Sequence, residues 1–160
     1  MAARSAGILL YRLEGEGGVR VLLAHMGGPY WASKDAGAWS IPKGEYDIDA
    51  EGALDAARRE FREELGVDPP DAEYAELGTF AYSSGKKIVV FVADGAEFDP
   101  AADDLEFGEF DMEWPPRSGK TARFPEVDRI EWCTPDEARE RLVKGQRPAL
   151  DRLLAHLAEL

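Results

Sequence analysis

Short apolar runs dominate the first 42 residues and predict β-strands. "AGILLYRL" (6–13) and "VRVLLAHM" (19–26) flank the glycine-rich "EGEGG", which predicts a hairpin. "AWSIP" (38–42) predicts a short strand. The polar and glycine-containing segments beside it, 27–37 and 43–52, predict loops.

A helical period replaces the strand pattern after residue 52. Leu54, Ala57, Phe61 and Leu65 recur at i, i+3, i+7 and i+11, so one face of a helix is apolar. Gly66 follows directly and suits the left-handed position that ends many helices. We therefore predict an amphipathic helix that stops at Gly66.

The second half of the chain alternates between the two patterns. Segments 72–84 and 86–95 predict paired strands, 107–128 a strand-like half and then a basic Pro/Gly loop, and 129–133 a strand. Segments 134–145 and 147–160 predict helices, the first with Thr134 as N-cap and Pro135 after it. The irregular alternation favours an α/β or α+β class with a mixed sheet. A length of 160 residues suits one domain spanning 1–160.

The charge balance narrows the function classes. With 32 acidic and 19 basic residues, the net charge of −13 argues against a partner that is a nucleic acid polymer. No run approaches the roughly 20 apolar residues of a membrane span, and the apolar run in the first 17 residues is too short for a signal peptide. Cys133 is the single cysteine, which excludes an intrachain disulfide. We expect a cytoplasmic protein that does not associate with membranes.

Three glutamates crowd one flank of the predicted helix. Glu60, Glu63 and Glu64 stand at i, i+3 and i+4, within an arc of about 100°. Like charges at this spacing destabilise a helix by roughly 0.2–0.5 kcal/mol per pair. By helical spacing only Glu63 has a nearby cation, Arg59. A bound divalent metal would neutralise the cluster; the alternative is a solvated acidic face.

The wider segment "GEYDIDAEGALDAARREFREELGV" (44–67) resembles the signature of the Nudix hydrolase family, G-x5-E-x7-R-E-U-x-E-E-x-G-U. From Glu51 onward the spacing matches, with Phe61 at an aliphatic position. The segment departs upstream, because six residues rather than five separate Gly44 from Glu51. A solvated acidic face would not explain Gly44, Glu51 and Arg59 in register with the glutamates.

The resemblance implies a fold, a cofactor and a ligand set. The fold would be a mixed β-sheet sandwiched between helices. The cofactor would be Mg²⁺, with Mn²⁺ as a substitute. The expected metal ligands are Glu60, Glu63, Glu64 and a backbone carbonyl at Gly44 or Lys43. The expected structural pair is Glu51 with Arg59, which would hold the loop against the helix.

The catalytic base is less defined by the resemblance. Some Nudix enzymes use a motif glutamate, here Glu63 or Glu64, and others use a glutamate from a distant loop. In the house-cleaning triphosphate hydrolases such a glutamate shortly precedes a strand tryptophan. Glu126, six residues before Trp132, fits that position. Weaker candidates are Glu113 and Glu131.

The substrate is expected to be a small phosphorylated molecule. The expected substrate-binding residues are Lys43, Arg117, Lys120 and Arg123 for phosphates, and Tyr30 and Trp31 for a base. Several cations together favour a dinucleoside polyphosphate or a nucleoside triphosphate. "DMEWPPRSGK" with "FPEVDR" is similar to a small bacterial Nudix subgroup of predicted nucleotide pyrophosphohydrolases. ADP-ribose or another nucleoside diphosphate derivative remains an alternative, and monomer and homodimer both stay open.

Two other function classes are weighed against the enzyme. A catalytically silent nucleotide sensor would usually have lost motif glutamates, and none is lost here. A calcium-binding loop at 46–60 would need a glutamate where Arg58 stands. The histidines, His25 and His156, lack the G-x-S-x-G context of a nucleophilic hydrolase.

Overall fold

The computed structural model describes residues 4–159. Its strands are β1 (Arg4–Leu13), β2 (Val19–Met26), β3 (Trp39–Ser40), β4 (Lys43–Tyr46), β5 (Ala75–Ala81), β6 (Lys87–Asp94), β7 (Glu109–Glu113), β8 (Thr121–Pro125) and β9 (Val127–Cys133). Its helices are α1 (Ala53–Leu65), α2 (Pro135–Arg141) and α3 (Arg147–Ala158). Short 3-10 turns lie at Gly15–Gly17, Ala102–Asp104 and Lys144–Gln146.

A mixed sheet forms the centre of the fold. Its hydrogen-bonded order is β3-β2-β1-β6-β5, with β9 also paired to β2. β1 runs parallel to β6, and the other pairs of this sheet are antiparallel. β4 pairs with residues 4–7 of β1, whereas β2 pairs with residues 11–13. The sheet therefore splays along β1, and β4 brings Lys43 and Gly44 to the N-terminal end of that strand.

Helices cover both faces of this sheet, because successive side chains of a strand point to opposite faces. Ile8 and Leu10 pack with Phe61 and Leu65 of α1. On the other face Leu9 belongs to the cluster that holds residues of α2 and α3. The predicted α+β class, with a mixed sheet sandwiched between helices, is confirmed.

The ends of the helices follow the predicted capping residues. Gly66 has φ 77°, a left-handed conformation, and its N–H donates to the Arg62 carbonyl. Thr134 caps α2, since its side chain accepts from the Glu137 N–H. α2 ends at Arg141, earlier than the predicted residue 145, and a 3-10 turn joins it to α3.

The predicted hairpin of β1 and β2 is confirmed, and its 14–18 connection contains a 3-10 turn. Two local predictions were wrong. The start of the predicted 43–52 loop is strand β4, because Lys43 and Gly44 pair with residues of β1. The predicted basic loop ends in strand β8, which pairs with β7 in a separate two-stranded sheet. Within residues 4–159, no helix has the length and apolar character needed to cross a membrane.

Candidate active site

A cavity of about 810 Å³ opens beside α1 and β4. It contains seven residues predicted from the sequence, namely Trp31, Lys43, Gly44, Glu60, Glu63, Glu64 and Glu126. The other lining residues are Ser5, Met26, Ser40, Glu45, Tyr82, Lys86, Val127 and Val143. The fold thus gathers the helix glutamates and the distant Glu126 around one space.

Glu64 is the most buried carboxylate of the cavity, with 9% of its surface exposed. It lies on the side of α1 that packs toward the sheet. The pKa of Glu64 is raised to about 8, mainly by burial and also by the charges of Glu126 and Glu60. The ammonium and the backbone of Lys43 act in the opposite direction. Negative charge at this position is therefore only partly compensated by the protein.

Glu60 lies against the backbone of β4. A Cβ at Gly44 would come within 1.8 Å of Glu60 Oε2, so only glycine permits this approach. Burial raises the pKa of Glu60, Arg59 lowers it, and Glu63 and Glu126 raise it. Gly44 therefore places backbone next to a carboxylate that has negative neighbours.

Arg59 links the loop to the helix, as predicted from the motif. Its Nε and Nη2 donate to the Glu51 carboxylate at 2.5–3.2 Å. The preceding turn accommodates the extra loop residue, since the N–H groups of Ala50 and Glu51 both donate to the Asp47 carbonyl. The longer loop leaves the Glu51–Arg59 pair intact.

Arg59 also contacts two of the helix glutamates. Its Nη1 donates to Glu60 Oε1 at 2.8 Å and to Glu63 Oε2 at 3.0 Å. Helical spacing had assigned Glu60 no cation, and this assignment was wrong because the long guanidinium side chain reaches its sequence neighbour.

Backbone contacts hold Glu126 at the junction of β8 and β9. Its carbonyl accepts from the Gly27 N–H at 2.9 Å, and its N–H donates to the Gly108 carbonyl at 2.7 Å. The Gly108 N–H donates in turn to the Glu64 carbonyl at 3.2 Å. A Cβ at Gly27 would lie 2.1 Å from the Pro125 carbonyl oxygen, so glycine is required there. These contacts connect Glu126 to the end of α1, although 62 residues separate it from Glu64.

The donor set of the cavity fits a hard divalent cation, which prefers carboxylate and carbonyl oxygens. Glu60 and Glu64 share this cavity, and neighbouring carboxylates raise the pKa of each: Glu63 and Glu126 act on Glu60, and Glu126 and Glu60 act on Glu64. A cation would relieve that repulsion. With the side chains as they stand, residues 4–159 contain no group of three or more His, Cys, Asp or Glu that could hold a metal ion. Arg59 engages Glu60 Oε1 and Glu63 Oε2 in this arrangement, which leaves the second oxygen of each carboxylate for a cation.

The predicted substrate-binding residues divide into two groups. Lys43 and Trp31 line the cavity, whereas Tyr30, Arg117, Lys120 and Arg123 do not. Tyr30 is exposed and meets Trp114 edge to face. The three basic residues belong to the β7–β8 hairpin, where Arg123 pairs with Asp111 at 3.0 Å.

The weaker base candidates also lie outside the cavity lining. Glu113 accepts a hydrogen bond from the Arg117 backbone N–H at 2.9 Å. Glu131 pairs with Arg141 at 3.2 Å. Each therefore already has a local partner.

Sequence reasoning did not assign the wall formed by Ser40, Tyr82 and Val143 to the site. These residues come from β3, from the β5–β6 connection and from the segment after α2, and no motif joins them. Lys86 also lines the cavity, and it pairs with Glu45 at 3.3 Å.

Comparison with known proteins gives matches in sequence and in fold. Residues 1–153 match the NUDIX domain family. A 17.7 kDa protein from the e–segB intergenic region of Enterobacteria phage T4 is 46% identical over 54 residues, covering 33% of this chain and 36% of the phage protein. The chain thus matches about a third of that relative's length.

Three solved structures illustrate the likeness in fold. A C. elegans Ap4A hydrolase in a binary complex has a TM-score of 0.67 at 21% identity, covering 99% of this chain and 100% of that one. The NUDIX domain of Shewanella oneidensis NrtR, complexed with ADP ribose, has a TM-score of 0.63 at 14% identity, covering 98% of this chain and 89% of that one. The E. coli ORF135 protein has a TM-score of 0.60 at 22% identity, covering 99% of this chain and 92% of that one.

The comparisons agree with the residue-level observations. The signature segment forms the loop and helix that bring Gly44, Glu60, Glu63 and Glu64 to one cavity. The family match extends over nearly all of the 160 residues. The chain therefore belongs to the NUDIX domain family.

Proposed function

We propose that this protein is a Mg²⁺-dependent pyrophosphohydrolase that cleaves a diphosphate linkage in a nucleotide. The observation that carries the proposal is the convergence of Glu60, Glu63, Glu64 and Glu126 on one cavity. Two of these carboxylates have raised pKa values because burial and like charges disfavour their ionised forms. Perturbed carboxylates in a cleft are typical of functional sites.

Glu60, Glu63, Glu64 and the backbone at Gly44 would hold the cation. A divalent cation supplies charge neutralisation for the diphosphate and Lewis-acid activation of water. Glu126 is the proposed proton acceptor for the attacking water, because it shares the cavity but belongs to a different element. Glu63 and Glu64 remain the alternative bases. Glu51 and Arg59 keep the motif loop against α1.

The proposed substrate is a dinucleoside polyphosphate or a nucleoside triphosphate. Lys43 and Lys86 provide cations for phosphate oxygens at the cavity itself. Trp31, which lines the cavity, offers an aromatic surface for a base. A phosphate chain that extends beyond the cavity would be needed to reach Arg117, Lys120 and Arg123 on the hairpin. The fold neighbour named as an Ap4A hydrolase is consistent with such a substrate.

The position of those basic residues also favours a second candidate. Because they do not line the cavity, a short diphosphate such as ADP-ribose would meet Lys43 and Lys86 without them. The NrtR NUDIX domain provides a fold neighbour with ADP ribose bound. We propose a cytoplasmic location for either activity, which the lone, buried Cys133 supports.

Product analysis by ion-exchange chromatography tests the proposal. The protein is incubated with Mg²⁺ and, separately, with diadenosine tetraphosphate, nucleoside triphosphates, ADP-ribose and a diphosphoinositol phosphate. Cleavage of the tetraphosphate to ATP and AMP is expected. Preference for ADP-ribose would replace the first substrate by the second. Binding of these ligands without any turnover, with Mg²⁺ or Mn²⁺, would favour a nucleotide sensor and contradict the enzyme.

A further inference from the structure

One part of the cavity wall, formed by residues outside the motif, is built around the buried amide of Gln146. This side chain has no exposed surface, and it lies in the 3-10 turn between α2 and α3. It contacts Ile41 and Ser40 near β3 and Tyr82 in the β5–β6 connection. Ser40 and Tyr82 both line the cavity.

The orientation of the Gln146 amide follows from its partners. The Ile41 backbone N–H can only donate, and it lies 2.9 Å from Oε1. The Nε2 group therefore faces the two hydroxyls, and it donates to Ser40 Oγ and to the Tyr82 hydroxyl oxygen at 2.9 Å each. Both amide hydrogens are used by these two bonds.

Because both hydroxyl oxygens accept from the Gln146 amide, each hydroxyl hydrogen needs another acceptor. Ser40 Oγ donates to the Ile41 carbonyl at 2.8 Å, so its hydrogen is committed inside the protein. The Tyr82 oxygen accepts from Gln146, and the described residues 4–159 give its hydroxyl hydrogen no acceptor. Tyr82 is partly exposed at the cavity, so its hydrogen is available to a ligand.

The Tyr82 ring is also fixed in place. A Cβ at Gly145 would lie 2.2 Å from ring atom Cδ1, so the ring rests directly on the backbone of the glycine before Gln146. The Tyr82 backbone N–H donates to the Lys86 carbonyl at 2.8 Å, which closes the turn. A fixed ring and a fixed acceptor bond leave the hydroxyl hydrogen little freedom except toward the cavity.

We infer that Tyr82 is a substrate-binding hydrogen-bond donor, and that Gln146 is the positioning residue that keeps it a donor. The group recognised is an oxygen or nitrogen acceptor of the nucleotide, either on phosphate or on the nucleoside. The inference deepens the proposed function and rests on it, because it assigns a part of the same cavity wall outside the motif to substrate recognition.

Calorimetric titration with non-hydrolysable probes tests the inference without turnover. The probes are α,β-methylene-ADP and methylenediphosphonate, each with Mg²⁺. Tyr82→Phe, which removes only the hydroxyl, should weaken binding of α,β-methylene-ADP about tenfold. Weakening of both probes would assign the contact to phosphate; weakening of the nucleotide alone would assign it to the nucleoside.

Gln146→Glu tests the positioning role with a nearly isosteric change. The titration of this variant is done at alkaline pH, which favours the ionised form of the buried carboxyl. An ionised carboxylate at this place can only accept, so Tyr82 would donate to it and lose its hydrogen for the ligand. We expect a loss similar to that of Tyr82→Phe and no further loss in the double variant, since both changes remove one hydrogen bond. Tyr74→Phe is the matched control, because that hydroxyl donates to the Pro70 carbonyl away from the cavity.

Several results would overturn the inference. Unchanged binding by Tyr82→Phe would do so even if Gln146→Glu fails to fold. Additive losses of affinity in the double variant would contradict the inference that both substitutions remove the same hydrogen bond to the ligand. Absence of probe binding by the wild-type protein would also overturn it. Hydrolysis measured separately on the wild-type protein decides the proposed function, so the two can fail independently.

Discussion

At the scale of single residues, Glu64 and Gly44 define the electrostatics of the cavity. Glu64 is buried beside other carboxylates, and its pKa rises to about 8. Gly44 lets the Glu60 carboxylate lie against the backbone of β4. In the protein alone, ionisation of Glu60 and Glu64 is disfavoured, since burial and neighbouring carboxylates raise the pKa of both. Both features are explained if a cation joins the two carboxylates.

Glu64→Gln should stabilise the metal-free protein at alkaline pH. The unfolded chain releases this proton near the ordinary value of 4.5, whereas the folded protein keeps it until about pH 8. The contribution of Glu64 to the free energy of unfolding therefore falls as the pH rises through this interval and is constant above it. Urea unfolding in EDTA at pH 5, 7 and 9 should show a gain of up to about 5 kcal/mol at pH 9 and little gain at pH 5.

The matched control for that experiment is Glu73→Gln, which changes an exposed carboxylate outside the cavity lining. It should leave the pH dependence of unfolding as in the wild-type protein. An identical pH dependence in wild-type and Glu64→Gln proteins would contradict the assignment of a buried, protonated Glu64.

Gly44→Ala should displace Glu60 and weaken the binding of divalent metal. The new methyl group would overlap the carboxylate, with 1.8 Å between Cβ and Oε2. Changes in groups that orient metal ligands typically cost about 10- to 100-fold in affinity, and we expect a loss in this range. Titration with Mn²⁺ followed by electron paramagnetic resonance measures it.

Gly15→Ala is the control for the glycine change, because a Cβ at Gly15 would meet no atom within 4 Å. It should bind Mn²⁺ as tightly as the wild-type protein. Wild-type affinity in Gly44→Ala would show that Glu60 does not need its present position.

At the scale of elements, the sequence predicted the parts whose signals are local. The apolar stripe and Gly66 located α1, and Thr134 with Pro135 located the start of α2. Strand β4 was missed because its ladder partners lie almost 40 residues away on β1. The cavity wall around Gln146 was missed for the same reason, since its hydrogen bonds join residues 64 to 106 positions apart.

The β7–β8 hairpin is the element whose role depends on the length of the substrate. Lys120 and Arg123 lie outside the cavity lining, so a short diphosphate should not depend on them. Replacing both by alanine should raise the KM for diadenosine tetraphosphate severalfold and leave the KM for ADP-ribose unchanged. Steady-state kinetics on the two substrates compares these values.

Arg152→Ala serves as the control for that pair, because Arg152 lies on α3 outside the cavity lining. It should change neither KM. Equal increases for both substrates in the hairpin variant would exclude a role specific to long phosphate chains.

At the scale of the whole molecule, the proposed function requires an acidic chain to bind an anionic substrate at an acidic cavity. The net charge of −13 makes this unfavourable without cations. Lys43 and Lys86 supply two positive charges at the cavity, against five lining glutamates. The proposed divalent cation would offset this excess of negative charge as well as the repulsion among the glutamates of α1.

Binding of Mg²⁺ by the whole protein should therefore release protons. Because Glu64 stays protonated up to about pH 8, a cation that binds its carboxylate must displace that proton. Calorimetry at pH 7 in buffers of different ionisation enthalpy should detect release of about one proton per cation. Affinity should rise with pH and level off above pH 8. Binding that is independent of pH between 6 and 8 would contradict a protonated ligand.

The most direct test of the central claim is the rate at which diadenosine tetraphosphate is hydrolysed by the wild-type and Glu64→Gln proteins. The rate is measured at pH 8 with Mg²⁺ and again with EDTA. We predict turnover by the wild-type protein that EDTA abolishes, and a loss of at least about 100-fold in folded Glu64→Gln. Equal rates in the two proteins, or hydrolysis that persists in EDTA, would contradict a metal-dependent reaction at the glutamates of α1.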